Sequence, residues 1–251
     1  MDYAHQYLDR ITAILKSIAD NETDSMNQAA KLIAERVAKD QLIHVFGTGA
    51  HSIMGAMEVF WRAGGFANIN PLFPAGISLV DSHPNIERVA EMAKSVIRFY
   101  KVKKDDVILI INVNGINPIT IQSAMEAKEI GAHVIAITSP EFAENVPKGI
   151  AARHKNGMNL HDIADIVIDA HVPAGDAVLH IDRLPQPIGA SSTYAICFAA
   201  NLLFVRVAEM LLEQGIEPPI WTSANIAGGD EKNKKFLEKY LDRVHHLYPM
   251  F

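Results

Sequence analysis

The sequence predicts an α/β protein in which a parallel sheet of five strands is wrapped by helices. Three observations predict it. Short all-apolar runs such as Ile108-Leu109-Ile110-Ile111 have the composition of strands buried on both faces, as parallel sheets require. These runs alternate with segments of helical period, the βαβ pattern. The first of them enters a glycine-rich turn, Gly47-Thr48-Gly49-Ala50-His51-Ser52, that hands over directly to a helix.

The elements follow in order. Tyr7, Ile11, Ile14, Leu15 and Ile18 recur at helical spacing, the polar run at 20–24 breaks the pattern, and Met26, Ala29, Ala30, Ile33 and Val37 give a second apolar face. Residues 1–40 therefore read as a helical hairpin. It cannot bury both stripes alone and should dock on the following domain or on a second subunit. Residues 41–215 read as the α/β domain, with strands over 42–46, 66–70, 107–112, 133–137 and 166–168. Helices are expected over 52–63, 85–100 and 118–130, with Gly131 closing the last. The segment 140–188, rich in proline and isolated histidines, reads as loops and short elements around the fifth strand. A long apolar helix starts near Ala190, and 216–251 form a tail with a last helix over 230–246, packed on the domain or on a partner subunit.

Composition narrows the function. A net charge of −6 and a pI near 6 argue against nucleic acid or an anionic membrane as partner. The uncharged stretch 190–205 falls short of the roughly 20 residues a span requires, and Arg206 and Glu209 follow at once. It reads as a buried helix, or one at a subunit interface. The single cysteine, Cys197, fits a packing role in a reducing cytoplasm, and the N-terminus has no signal-peptide pattern. The histidines lack metal-ligand spacing, so no metal or other cofactor is expected.

The chemistry concentrates in the first turn. A strand-to-helix turn aims backbone N–H groups and a helix dipole at one point, where an anion is stabilised. Gly47 and Gly49 are expected to supply positive φ and close approach, Thr48 and Ser52 hydroxyl donors, with Ser52 as N-cap. The Rossmann fingerprint lacks its third glycine and its ribose-binding acid, and the Walker Gly-Lys-Ser/Thr is absent. An FMN site or a plain turn without ligand stays open beside phosphate without nucleotide. Two further helix starts carry polar clusters. In Asn112-Val113-Asn114-Gly115-Ile116-Asn117-Pro118, Asn117 can cap a helix with Pro118 at its first position. Gly189-Ala190-Ser191-Ser192-Thr193 supplies three hydroxyls. Each alone fits ordinary capping; three in one α/β chain favour a shared polar pocket.

The loop Gly47-Thr48-Gly49-Ala50-His51-Ser52, the strand and turn Ile110-Ile111-Asn112-Val113-Asn114-Gly115, and Ala132-His133-Val134-Ile135-Ala136-Ile137-Thr138 together resemble the SIS (sugar isomerase) domain over roughly residues 25–215. The tail Pro218-Pro219-Ile220-Trp221-Thr222-Ser223-Ala224-Asn225 with Gly228-Gly229-Asp230-Glu231 resembles a branch of that family carrying an N-terminal helical hairpin. The resemblance implies a flavodoxin-like three-layer sandwich that binds phosphosugars without nucleotide, in homodimers with sites built partly across the subunit boundary. Ser52 matches the family's first phosphate-loop serine. The second loop, usually Ser-x-Ser-Gly-x-Thr/Ser, has asparagines at 112, 114 and 117, which still donate through their amides. They also admit an altered ligand, or binding without catalysis.

Aldose–ketose isomerisation needs a base and an acid. Glu58 and His83 are the catalytic candidates, one of them supplied by a neighbouring subunit. Glu58 is equally read as a surface pair with Arg62 at i+4, and His83 has Asp81 nearby to orient it. His51 is a further donor; His180 with Asp182 is a weaker pair. The expected phosphate and sugar contacts are Gly47, Thr48, Gly49, His51, Ser52, Asn114, Gly115, Asn117, Ser191, Ser192 and Thr193. The segment 223–233 reads as a loop closing over the sugar, or as a turn capping the last helix. The ligand expected is a small sugar phosphate, isomerised by proton abstraction. The alternatives are a non-catalytic sensor and a lyase or etherase acting on an amino-sugar phosphate.

Overall fold

A computed structural model describes residues 2–49, 51–78, 83 and 85–249. Helices α1 (Tyr3–Asn21) and α2 (Thr23–Ala38) form the hairpin, with the Asp2 carboxylate accepting from the amides of Ala4 and His5 at 3.1 and 3.2 Å. The sheet is β1 (Ile43–Gly47), β2 (Ile69–Pro71), β3 (Val107–Ile111), β4 (His133–Thr138) and β5 (Ile166–Asp169), all parallel in the order β2-β1-β3-β4-β5. Between them run α3 (Ile53–Val59), α4 (Met92–Phe99), α5 (Pro118–Ile130) and α6 (Pro140–Asn145). A two-stranded antiparallel hairpin, β6 (Ala177–Leu179) and β7 (Ile188–Ala190), leads into α7 (Ser192–Glu213), and α8 (Gly229–Tyr240) follows.

Alternation along the strands builds the three layers. Ile43, Val45, Leu109, Ile111, Ile135 and Ile137 pack with α2, α3 and α7, and Ile18 of α1 joins them. Phe46, Ile108, Ile110, Val134 and Ala136 face the other way, against α4 and α5. The stripe of α2 is thus buried on this chain's own sheet and α7, while α1 packs on α7 with Ile11 and Ile18 buried and Tyr7, Ile14 and Leu15 half-buried. Helix α7 is long and apolar enough to cross a membrane on length and composition alone. Here its residues Ala195, Ala199, Leu203, Val207 and Leu211 are fully buried in the first layer.

Four expected elements are shorter in the structure, among them the last helix, expected over 230–246 and ending at Tyr240. The helix predicted over 52–63 stops at Val59, because Phe60 turns extended and Trp61 takes φ 42°. The strand predicted over 66–70 starts only at Ile69, and Phe66 bridges antiparallel to Ile220 instead. Both follow from the tail: Gly64 N–H donates to Trp221 O, Trp221 N–H to Gly65 O, and Ala67 N–H to Pro219 O. That long-range ladder leaves no local signature. The helix predicted over 85–100 divides at Val89 into a 3₁₀ turn (Ile86–Arg88) and α4. Gly131 closes α5 as expected, at φ 88°.

The C-terminal segment packs by aromatic and histidine contacts. Tyr100 Oη lies 2.7 Å from His246 Nε2 and accepts from the amide of Phe73 at 3.0 Å. Burial pushes the Tyr100 phenol up to about 12, so it remains a donor and His246 an acceptor. Burial, then the neighbouring His245, holds His246 below its ordinary 6.5. The unfolded state therefore binds the proton more tightly, and the contact's stabilisation is complete above pH 6.5 and lost as pH falls below it. Amide hydrogen exchange at pH 7.5 and pH 5 should show residues 240–249 losing protection at the lower pH while β3 and β4 keep theirs; equal protection at both would remove His246 as the cause.

Candidate functional site

In a sheet of this order the connections diverge between β1 and β3, and the carboxyl ends of those strands open a crevice. A pocket of about 150 Å³ occupies it. Gly49, His51 and Ser52 line it from the turn after β1, Asn112, Val113 and Asn114 from the loop after β3, and Ser192 and Ile196 from the start of α7. Glu87, Phe142 and Asp176 complete the walls.

The first turn is built by close approach rather than by positive φ, which neither Gly47 nor Gly49 adopts. A Cβ on Gly47 would lie 2.3 Å from the Ser52 carbonyl oxygen, and one on Gly49 would lie 2.9 Å from Asn112 Nδ2 and 3.3 Å from a Glu87 carboxylate oxygen. Gly47 ends β1, and the Thr48 amide donates to Ile111 O, so both backbones belong to the sheet. The Thr48 hydroxyl is also turned away, 2.6 Å from the hydroxyl of Thr120 and fully buried. Ser52 already has helical φ and ψ and makes no side-chain cap, so its hydroxyl is left to the pocket. Ala50 lies outside the described residues.

In the second loop, Gly115 takes φ 61° and its amide donates to Asn112 Oδ1 at 2.8 Å. Asn117 is a buried brace: its Nδ2 donates to Ala152 O at 3.2 Å and to Glu87 at 3.4 Å, while its Oδ1 accepts from Asn112 at 3.2 Å. Asn112 and Asn114 are left facing the pocket.

At the third cluster the expected anion position holds a carboxylate of the chain itself. Asp176 accepts from the amides of Ser191 and Ser192 at 2.8 and 2.7 Å, and from the Ser192 hydroxyl at 2.7 Å. It does so from φ 66°, a conformation that costs a non-glycine residue energy and is found where a site demands it. Ser191 is consumed by this contact, and Thr193 does not line the pocket.

Of the expected contacts, then, Gly49, His51, Ser52, Asn114 and Ser192 come together, Gly47, Thr48, Gly115, Asn117 and Ser191 support the walls, and Thr193 lies outside the lining. Neither catalytic candidate lines the pocket. Glu58 accepts from Arg62 Nε at 3.2 Å and from Asn201 at 3.3 Å on the α7 side of α3. His83 is exposed and its Nδ1 accepts from the Asn85 amide; Asp81, expected to orient it, lies outside the described residues. His180 and Asp182 follow β6 and stay outside the pocket. Segment 223–233 is also elsewhere: Asn233 exchanges two hydrogen bonds with the Thr222 backbone and caps the turn into α8. Sequence reasoning missed Glu87, inside an expected helix, and Asp176, whose only local signal is the preceding Pro173-Ala174-Gly175 turn. Cys197 offers no nucleophile, since burial and then Glu58 push its thiol up to about 11.

Comparison with known proteins fits this geometry. Residues 6–139 match the model of the SIS domain. A UPF0309 protein of Geobacillus kaustophilus is 35% identical over 243 residues, covering 96% of this chain and 95% of the relative. Another, from Caldanaerobacter subterraneus, is 36% identical over 247 residues, covering 96% and 98%. Among solved structures, a phosphoheptose isomerase from Neisseria gonorrhoeae superposes with a TM-score of 0.52 at 16% identity, covering 83% of this chain and 97% of its own. One from Francisella tularensis gives 0.50 at 14%, covering 84% and 97%. At these identities the likeness is one of fold.

Two substitutions test the site's construction. Gly47→Ala forces a side chain onto a backbone carbonyl and should abolish soluble folded protein, since overpacking against backbone costs ~1–3 kcal/mol or more. Asp176→Ala strips the acceptor from two amides at a helix start, a loss of about 1–2 kcal/mol that should lower Tm by roughly 2–8 °C. An unchanged Tm would show that Asp176 does not hold α7.

Proposed function

This chain belongs to the SIS domain family, within its UPF0309 members, and from that premise we propose that it binds a small phosphorylated sugar at the β1–β3 crevice and interconverts its aldose and ketose forms. One observation carries the reading: a single pocket joins a strand-to-helix turn suited to an anion with two carboxylates and two amides suited to a polyol. The phosphate sits against His51, Ser52 and the turn that ends in them, where backbone N–H groups and the start of α3 favour negative charge. Sugar hydroxyls donate to Asp176 and Glu87 and accept from Asn112 and Asn114. Glu87 is the base: it takes the proton from the carbon beside the carbonyl, giving an enediolate; the proton of the neighbouring hydroxyl passes to the former carbonyl oxygen, and Glu87 returns its own proton to the former carbonyl carbon. That the phosphoheptose isomerases share the fold supports a phosphosugar as the ligand class.

A homodimer belongs to the same reading. Tyr194, Val205 and Leu212 are each more than half exposed, and their spacings of 11 and 7 residues set them on one stripe of α7. Glu58, bound to Asn201 of that helix, stands at the stripe's edge, where it would serve a partner subunit's pocket. The sensor reading has one observation in its favour. Asp176 occupies the α7 start, so a ligand that displaced it would move the β6–β7 hairpin and signal binding without turnover.

A thermal-shift screen of pentose, hexose, heptose and amino-sugar phosphates, each beside its unphosphorylated parent, comes first; ligand at a hundred times Kd contributes about 2.7 kcal/mol. Turnover of any stabilising phosphosugar is then followed by isomer analysis. Glu87→Gln should lower kcat by about 100-fold or more with KM little changed. Stabilisation without turnover would replace the isomerase by the sensor, and stabilisation by unphosphorylated sugars alone would remove the phosphate from the reading. Leu212→Glu should convert a dimer to a monomer by light scattering; an unaffected mass would place the contact elsewhere.

A further inference from the structure

Beside the pocket lies a second and larger cavity of about 920 Å³. Arg88 and Glu91 line it from the segment leading into α4, Pro118 and Gln122 from α5, and Lys148, Arg153, His154 and Lys155 from the loop after α6. Four permanent cations and a histidine face one carboxylate, in a chain whose net charge is −6. Local and global charge thus have opposite sign, and Arg88, Lys148 and Lys155 form no ion pair among the described residues.

Arg153 supplies an independent observation. Only 7% of it is exposed, and its guanidinium donates to Asn159 Oδ1 and to the carbonyls of Ala143 and Val146, all neutral acceptors. Its Nε has no hydrogen-bond partner among the described residues. A buried cation with only neutral partners is costly and leaves a positive field at the nearest opening, which here is this cavity.

We propose that the cavity is a binding site for a small ligand carrying two or more phosphate groups. Its cations come from two separate segments, Arg88 before α4 and 148–155 after α6, so a group with charge at several points engages both, which a single phosphate does not. The pocket and the cavity share a wall: Glu87 lines one and Arg88 the other, and Asn117 ties Glu87 to the carbonyl of Ala152 on the basic loop. The phosphates come either from a separate effector or from the far end of a ligand whose sugar occupies the pocket.

Isothermal titration of the intact protein with inorganic pyrophosphate tests the proposal. Wild type should bind, and the Lys148→Ala/Lys155→Ala double variant should bind at least tenfold more weakly with an unchanged melting temperature in the absence of pyrophosphate, both lysines being exposed. A control double variant, Lys31→Ala/Lys94→Ala, removes the same charge elsewhere and should bind as wild type does. No binding, equal weakening in the control, or weakening only in Ser52→Ala would each overturn the cavity as the site. Titration with UDP-glucose separates the two sources: dependence on the lysines alone indicates a separate effector, and dependence on the lysines and Ser52 together indicates one ligand spanning cavity and pocket.

Discussion

The site depends on how closely the chain crosses the end of β1. With no side chain at Gly47, the first turn of α3 lies directly on the strand end, and the Ser52 carbonyl takes the space a Cβ would fill. That approach fixes the direction of α3, sets Ser52 beside Asn112, and lets Glu87 reach Gly49. Backbone proximity, not backbone strain, is the constraint. Among the residues lining the pocket, the strained backbone is at Asp176, while Gly115 takes its positive φ without cost.

Electrostatics divides the surface around this crossing into two regimes. The pocket holds two carboxylates, a histidine and amides, and among the described residues no lysine or arginine lines it. Such a lining suits hydroxyl groups. The adjoining cavity has the reverse balance. A chain read only by its total of −6 would show neither, because the cations at 148–155 and the acids at 87 and 176 are far apart in sequence.

Much of the fold was legible. The strands at β1, β3, β4 and β5 announced themselves as apolar runs, and α5 by its Pro118 start and Gly131 stop. Elements shaped by long-range pairing were not: the tail's ladder with residues 64–67 shortened both α3 and β2. At the site, sequence patterns found the turns but not the direction of side chains within them. Thr48 and Ser52 look alike as hydroxyl donors, yet one bonds Thr120 under the sheet and the other faces the crevice. A serine cluster at a helix start says that something accepts from it, and here the acceptor is Asp176 rather than a ligand.

The first helix touches the last part of the chain to define the crevice. Tyr7 Oη donates to the carbonyl of Ala190, and its ring fills the space beside Gly189, just before Ser192. The walls themselves come from residues near 50, 87, 112, 142, 176 and 192. On a ribosome, the earliest helix must therefore wait for about three quarters of the chain before it meets its partner. Contacts so distant in sequence make for slow assembly. The crevice is among the last features of the molecule to form, and until then the apolar face of α1 lacks the α7 surface that covers it.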